Sequence, residues 1–289
     1  MLAARPKTLS GALVPVLIAT ALAHADRTLH IVPALLCAIF ALLMQVAANF
    51  INDFFDFIKG TDGGDRLGPE RAMAQGWITR RAMLWGIAIC IAMAAAVGLS
   101  IVWAAGFRTF SDIWPLLSLG AACIAGAFLY TLLMSYIGLG DVLVWLFFGI
   151  VPVCGTYYVQ AGTLTTATWL AAAAAGLVID TLLVLNNYRD RDTDRLHGKR
   201  TLICVFGEAF GRYFYFIQGL AGCTCAYILT HKGYPVAQLA LFYLYFHLTT
   251  WRLMSRIRSG RELNRVLGLT ARNILIFGIL LAIGLVLKN

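Results

Sequence analysis

Charge is what this chain has least of. Only 13% of its 289 residues are Asp, Glu, Lys or Arg, and 60% are hydrophobic. A soluble domain carries about 25% charged and about 45–50% apolar residues. That scarcity excludes a soluble globular domain and points to an integral membrane protein. Cysteine is equally uninformative as chemistry. The seven cysteines, at positions 37, 90, 123, 154, 204, 223 and 225, lie scattered along apolar segments. They form neither a spaced metal set nor a disulfide framework; Cys223-x-Cys225 reads as helix packing. His197 has no second histidine nearby and reads as a loop residue. No nucleic-acid module is present, and the +9 net charge is better explained by membrane orientation and anionic ligands.

What remains is hydrophobic length. Nine apolar segments, at approximately 9–25, 31–58, 82–106, 112–134, 142–160, 166–189, 209–230, 235–255 and 268–287, each approach the ~20 residues needed to cross a bilayer. The expected fold is all-α: a polytopic membrane protein of about nine helices around a central cavity. Arg5 and Lys7 precede the first run and Ala23-His24-Ala25 resembles a cleavage site, but an uncleaved first helix fits a chain that is otherwise membrane domain. The charged connections are 59–81, 190–208 and 256–267.

The Lys and Arg residues test this arrangement. If the N-terminus defines side A, that side receives Arg5 and Lys7 plus five, six and six basic residues after the second, sixth and eighth segments. Side B receives only Arg27, Arg108, Lys232 and Lys288. The positive-inside bias makes side A, and the N-terminus, cytoplasmic. A cell (inner) membrane location follows. The chain reads as one domain, 1–289, with a weak internal repeat over about 1–134 and 142–255 and a final helix at 268–287.

The repeat is carried by two acidic helix ends. "NFINDFFDFIKGTDGGD" (49–65) closes the second segment and "VLNNYRDRDTDRLHGKRTL" (184–202) closes the sixth, both on side A. Asn49, Asp53 and Asp56 share one helical face, as do Asn186, Asp190 and Asp194. A carboxylate at a membrane helix costs several kcal/mol unless it lines a cavity or meets a partner. Mg²⁺ takes oxygen ligands and is held by one or two carboxylates plus substrate phosphates. Asn52, Asp53, Asp56, Asp190 and Asp194 are the metal candidates, with two Mg²⁺ expected. Lys59, Arg66 and Arg71 flank the first cluster; Arg189, Arg195, Lys199 and Arg200 flank the second. Carboxylate, metal and base together suit a diphosphate.

These residues resemble the UbiA superfamily of intramembrane prenyltransferases. Its N-D-x-x-D motif reads Asn52-Asp53-Phe54-Phe55-Asp56 here, and its D-x-x-x-D motif reads Asp190-Arg191-Asp192-Thr193-Asp194. The superfamily's third aspartate is replaced by Gly60, with Asp62 two residues on. That variant is similar to the 1,4-dihydroxy-2-naphthoate polyprenyltransferase branch of menaquinone synthesis. So are "ARPKTL" (4–9), "DRLGPERAMAQG" (65–76), "YIGLGD" (136–141), "FFG" (147–149) and "NNYRDRDTDRLHGKRTL" (186–202). The Tyr-x-x-x-Lys of 4-hydroxybenzoate-type members is absent, since Tyr130 is followed by Met134.

The resemblance implies transfer of a polyprenyl group from its diphosphate to 1,4-dihydroxy-2-naphthoate, with loss of CO₂ and diphosphate. Homogentisate or 4-hydroxybenzoate is the alternative acceptor, and a secondary transporter the alternative class; no obligate protein partner is implied. Lys199, with Arg200 or Arg71, assists the leaving group, and Asp62 or Asp65 orients a ring hydroxyl or acts as base. Asn49, Asn186, Asn187, Tyr130 and Tyr136 complete the substrate contacts. Tyr136, Trp145, Phe147, Phe148, Tyr157 and Tyr158 are aromatic candidates for shielding a prenyl cation. The tail would lie between helices, against lipid-facing apolar walls. Asp180 either faces the cavity or hydrogen-bonds a neighbouring helix.

Overall fold

The computed structural model describes residues 2–60, 67–68, 70–107, 109–134 and 138–288. Among these residues every regular element is helical. The α-helices are α1 (Pro6–Ala25), α2 (Ile31–Ile58), α3 (Arg80–Ala104), α4 (Phe110–Leu129), α5 (Gly140–Trp145), α6 (Val151–Ala161), α7 (Thr166–Leu196), α8 (Leu202–Thr230), α9 (Tyr243–Ile257) and α10 (Leu263–Val286). A π-helical stretch, Leu146–Ile150, joins α5 and α6 into one rod. Another, Tyr130–Met134, closes α4, and a 3₁₀ stretch, Pro235–Phe242, leads into α9.

Seven rods are long and apolar enough to cross a membrane: 8–25, 31–59, 80–104, 110–132, 140–161, 166–196 and 263–286. The rods over 202–230 and 235–257 are not among them. The largest differences from the expected boundaries fall at α7 and α8. α7 runs to Leu196, because Arg189, Asp190 and Asp194 find partners along its last two turns. The α8 rod starts at Leu202 and breaks at Gly207, whose φ of 89° only glycine adopts at no steric cost.

Side-chain caps mark the starts. Thr79 accepts from the Ala82 amide and Thr201 from the Cys204 amide, while Thr165 and Thr168 form a reciprocal capping box on α7. α7 is the axis of the molecule. Its alanines 171, 172, 174 and 175 and Val178 are fully buried. Such small residues let neighbouring backbones close in, which is how helices associate without a hydrophobic drive between them. α7 lies along α8, α1 along α10 and α2 along α3. One tight crossing is Gly149 on Gly176: a Cβ at Gly149 would stand 2.6 Å from the Gly176 Cα. α3 instead shows Leu84, Trp85, Ile89, Met93, Leu99 and Trp103 on the outside, a surface suited to lipid.

Candidate active site

The helices enclose a chamber of about 580 Å³, within the 300–1,000 Å³ range of small-molecule sites. Its walls are apolar, from Cys37, Phe40, Ala41, Leu99, Leu116, Val151 and Pro152 among others. One end is polar: Arg5, Thr8, Gln45, Asn49, Asn52, Tyr130 and Asn186. The two π-helical stretches shape this space. Each widens the helix locally and re-aims its side chains, and Tyr130, Phe147 and Phe148, all within them, line the chamber.

The two acidic helix ends approach one another at the polar end, where Asn52 on α2 and Asn186 on α7 both line the chamber. Asp56 on α2 lies within electrostatic reach of Asp194 on α7. Asp53 is buried, 1% exposed, with Arg71 Nη1 3.9 Å away. Arg71, itself buried, donates from Nη2 to Asp56 Oδ2 at 2.7 Å. On the other side Lys199 Nζ lies 3.0 Å from Asp194 Oδ1. Arg189 donates from Nε to Asp190 Oδ1 at 2.7 Å and pairs with Oδ2 as well. Each acidic cluster is thus interleaved with cations, which lowers the cost of gathering carboxylates in a low-dielectric region.

Asn264 on α10 ties the halves together. Its Oδ1 accepts from Arg189 at 2.8 Å, and its Nδ2 donates to the Leu67 carbonyl, beyond α2, at 2.8 Å. Asn264 lay outside the sequence motifs, and only a fold in three dimensions exposes its role. Arg5, in the 4–9 stretch, also takes a place that charge counting alone does not announce. It sits at the chamber's polar end with φ 47°, a left-handed conformation rare for a residue preceding proline.

Other expected residues fall in different places. Asn49 lines the chamber but its amide donates to the Ala4 carbonyl (2.9 Å) and Thr8 hydroxyl (3.1 Å), docking α2 on the chain's start. Lys59 donates to the carbonyls of Thr131 and Leu132 at the π-helical end of α4. Asn187 lines a second, much smaller cavity. Arg195 turns away, donating to the Cys204 carbonyl, and Arg200 is exposed. Asp192 is exposed, whereas Arg191 is buried across the Tyr188 ring, 4.6 Å from its centroid. Asp62, Asp65, Arg66 and Tyr136 lie outside the described residues.

Two aromatic candidates belong to the opposite end of the bundle. Tyr157 donates to Asp26 at 2.8 Å and Tyr158 packs on Phe107. Trp145 sits against Gly176, where a Cβ would come within 2.8 Å of its ring. Asp180 takes the second of its two expected options: Gln218 on α8 donates to its Oδ2 at 2.6 Å. His197 is exposed at the end of α7, against the Thr193 carbonyl.

Among the described residues, no group of three or more His, Cys, Asp or Glu side chains is placed to cage a metal alone. The donors are instead carboxylates and amides from two helix ends. That set fits Mg²⁺, which keeps waters and draws its remaining ligands from substrate phosphates.

Comparison with known proteins converges on one family. The model of the UbiA prenyltransferase family matches residues 12–267. Similar proteins include the 1,4-dihydroxy-2-naphthoate octaprenyltransferase of Escherichia coli (strain K12), 38% identical over 76% of this chain and 72% of that one. That of Haemophilus influenzae (strain ATCC 51907 / DSM 11121 / KW20 / Rd) is 30% identical over 98% of this chain and 94% of its own. Among solved structures, a UbiA homolog from Aeropyrum pernix K1 superposes with a TM-score of 0.69 at 18% identity, covering 94% of this chain and 96% of that one. A UbiA homolog from Archaeoglobus fulgidus bound to DMAPP and Mg²⁺ gives 0.63 at 11% identity, covering 97% and 98%.

Proposed function

Because this chain belongs to the UbiA prenyltransferase family, we propose that it transfers a polyprenyl group from polyprenyl diphosphate to 1,4-dihydroxy-2-naphthoate. The observation that carries this reading is the approach of two aspartate-rich helix ends, whose Asn52 and Asn186 line the polar end of an otherwise apolar chamber and whose Asp56 and Asp194 lie within electrostatic reach of one another. The names of the similar proteins support naphthoate as acceptor, and the absence of a lysine at Met134 agrees.

Asn52, Asp53 and Asp56 on α2 and Asp190 and Asp194 on α7 would hold Mg²⁺. Bound there, the metal would neutralise the charge that gathers on the departing diphosphate. Arg71 and Lys199, already at these carboxylates, donate to phosphate oxygens on the same side. The prenyl tail occupies the apolar chamber, whose walls keep water from the allylic cation. Phe147 and Phe148 offer it aromatic faces.

The bond changes balance without an external reagent. The allylic C–O bond breaks and its electron pair leaves with diphosphate. The ring carbon bearing the carboxylate forms the new C–C bond. The bond to CO₂ then breaks and returns its pair to the ring. We read the chain as one transmembrane domain with the N-terminus and the carboxylate end cytoplasmic, where the soluble acid and the diphosphate leaving group are handled. The Lys and Arg distribution supports that orientation.

The test is substitution at both clusters. Asp53→Asn and Asp190→Asn should each abolish Mg²⁺-dependent turnover while the purified proteins elute as the parent does. Full activity in both would refute the reading.

A further inference from the structure

Behind the polar end of the chamber lies a second acidic group that the diphosphate chemistry does not use. Asp180, midway along α7, is fully buried. Gln218 satisfies one of its oxygens, and Oδ1 has no hydrogen-bond partner among the described residues. Asp141, in the first turn of α5, is buried to 7% exposure and lies within electrostatic reach of Asp180. Among the described residues neither carboxyl group has an ion-pair partner. A buried carboxyl oxygen left without a partner costs free energy until a proton or a hydrogen-bond donor reaches it.

Tyr130 stands between Asp141 and the chamber. It lines the chamber on one side and, on the other, a cavity of about 20 Å³ whose walls include Asp141, Asn187 and Thr201. That volume holds one water among several polar partners. Tyr130 is also within electrostatic reach of Asp141, Asp180, Asp56 and Asp194. A purely structural pair tying α7 to α8 would need neither the cavity nor the tyrosine.

We propose that Tyr130, backed by Asp141 and Asp180, recognises a ring hydroxyl of the aromatic acceptor and holds its proton while the ring reacts. The inference rests on the prenyl-transfer reading above. As the C–C bond forms, the acceptor hydroxyl gives its proton to the Tyr130 oxygen. The Tyr130 proton passes through the small cavity to the Asp141 carboxylate, which lines it. The electron pair left on the ring oxygen becomes a carbonyl bond. When CO₂ leaves, its electron pair restores the aromatic ring and the proton returns to that oxygen. Tyr130 touches the substrate; Asp141 and Asp180 are positioning residues.

The experiment compares 1,4-dihydroxy-2-naphthoate with its two analogues lacking one ring hydroxyl, in the full-length protein with Mg²⁺ and a polyprenyl diphosphate. Sites that hydrogen-bond a substrate hydroxyl discriminate strongly against its loss. The wild type should favour the dihydroxy acid over one analogue by about tenfold or more in kcat/KM. Tyr130→Phe, Asp141→Asn and Asp180→Asn should erase that preference by slowing the dihydroxy acid alone, leaving the KM for prenyl diphosphate unchanged. Tyr130→Phe removes one oxygen and leaves the buried pair in place, so it answers even where an Asp variant fails to fold. Retained discrimination in Tyr130→Phe, or an equal loss with all three acids, overturns the inference alone. A wild type that prenylates none of the three acids removes the function reading and this inference with it.

Discussion

Arg71 donates to Asp56 at 2.7 Å and stands 3.9 Å from Asp53, bridging the two acidic residues of the α2 motif. A buried guanidinium is thereby the counter-charge of the first cluster. Removing one partner of a buried ion pair costs about 3–5 kcal/mol, because the other charge stays buried. Arg71→Met should therefore lower thermal stability markedly in metal-free buffer. Mg²⁺ should restore part of the loss in the variant and do less for the wild type. Melting curves in detergent, with and without Mg²⁺, check this.

Asn264 joins Arg189 to the Leu67 carbonyl. Asn264→Leu strands both, and an unsatisfied buried polar group costs about 1–3 kcal/mol. The variant should be destabilised by that order. It should also show a raised KM for prenyl diphosphate, since both acidic ends lose their common tie. Asn264→Asp keeps the acceptor for Arg189 and should recover more of the KM than of the stability.

At the far end, Asp26 receives hydrogen bonds from Tyr157 (2.8 Å), Tyr234 (2.7 Å) and Lys288 (2.9 Å). Burial alone would raise its carboxyl, but these bonds outweigh it and hold the group below the ordinary carboxylate range. The same contact, with burial, pushes Tyr234 up. A depressed folded-state value means stability that is present above the unfolded carboxylate pKa and is lost as pH falls through the folded one. Asp26→Asn should destabilise the protein at neutral pH, with the difference from wild type vanishing in strong acid. Parallel pH titrations of thermal stability decide it.

The Gly149–Gly176 crossing leaves no room for a methyl group, with the built Cβ 2.6 Å from backbone. Overpacking of this kind costs about 1–3 kcal/mol. Gly149→Ala should fall in that range and distort the π-helical stretch carrying Phe147 and Phe148. Thermal unfolding, together with acceptor kinetics, measures both effects.

Much of this architecture is legible in the amino-acid sequence. The apolar runs place the helices to within a few residues, since a bilayer demands continuous hydrophobicity. The shared spacing of Asn49, Asp53 and Asp56 and of Asn186, Asp190 and Asp194 marks two polar faces, and Asp56 and Asp194 lie within electrostatic reach of one another. What is not legible is partner choice. Nothing local distinguishes Arg195, which turns to a backbone carbonyl, from Lys199, which pairs with Asp194. Tyr157 looks like a cavity aromatic until Asp26, 131 positions away, claims its hydroxyl. The π-helical stretches are equally silent, because their apolar composition differs little from that of the helices around them, yet they aim Tyr130, Phe147 and Phe148 into the chamber. Asn264 carries no motif and acquires meaning only from contacts with distant chain.

The most direct test of the central claim is a product assay on the purified full-length protein with Mg²⁺, a polyprenyl diphosphate and either 1,4-dihydroxy-2-naphthoate or 4-hydroxybenzoate. The account predicts prenylated, decarboxylated product and stoichiometric diphosphate from the naphthoate, dependent on Mg²⁺ and absent in Asp53→Asn. No product from either acid under those conditions, or turnover untouched by that substitution, would contradict it.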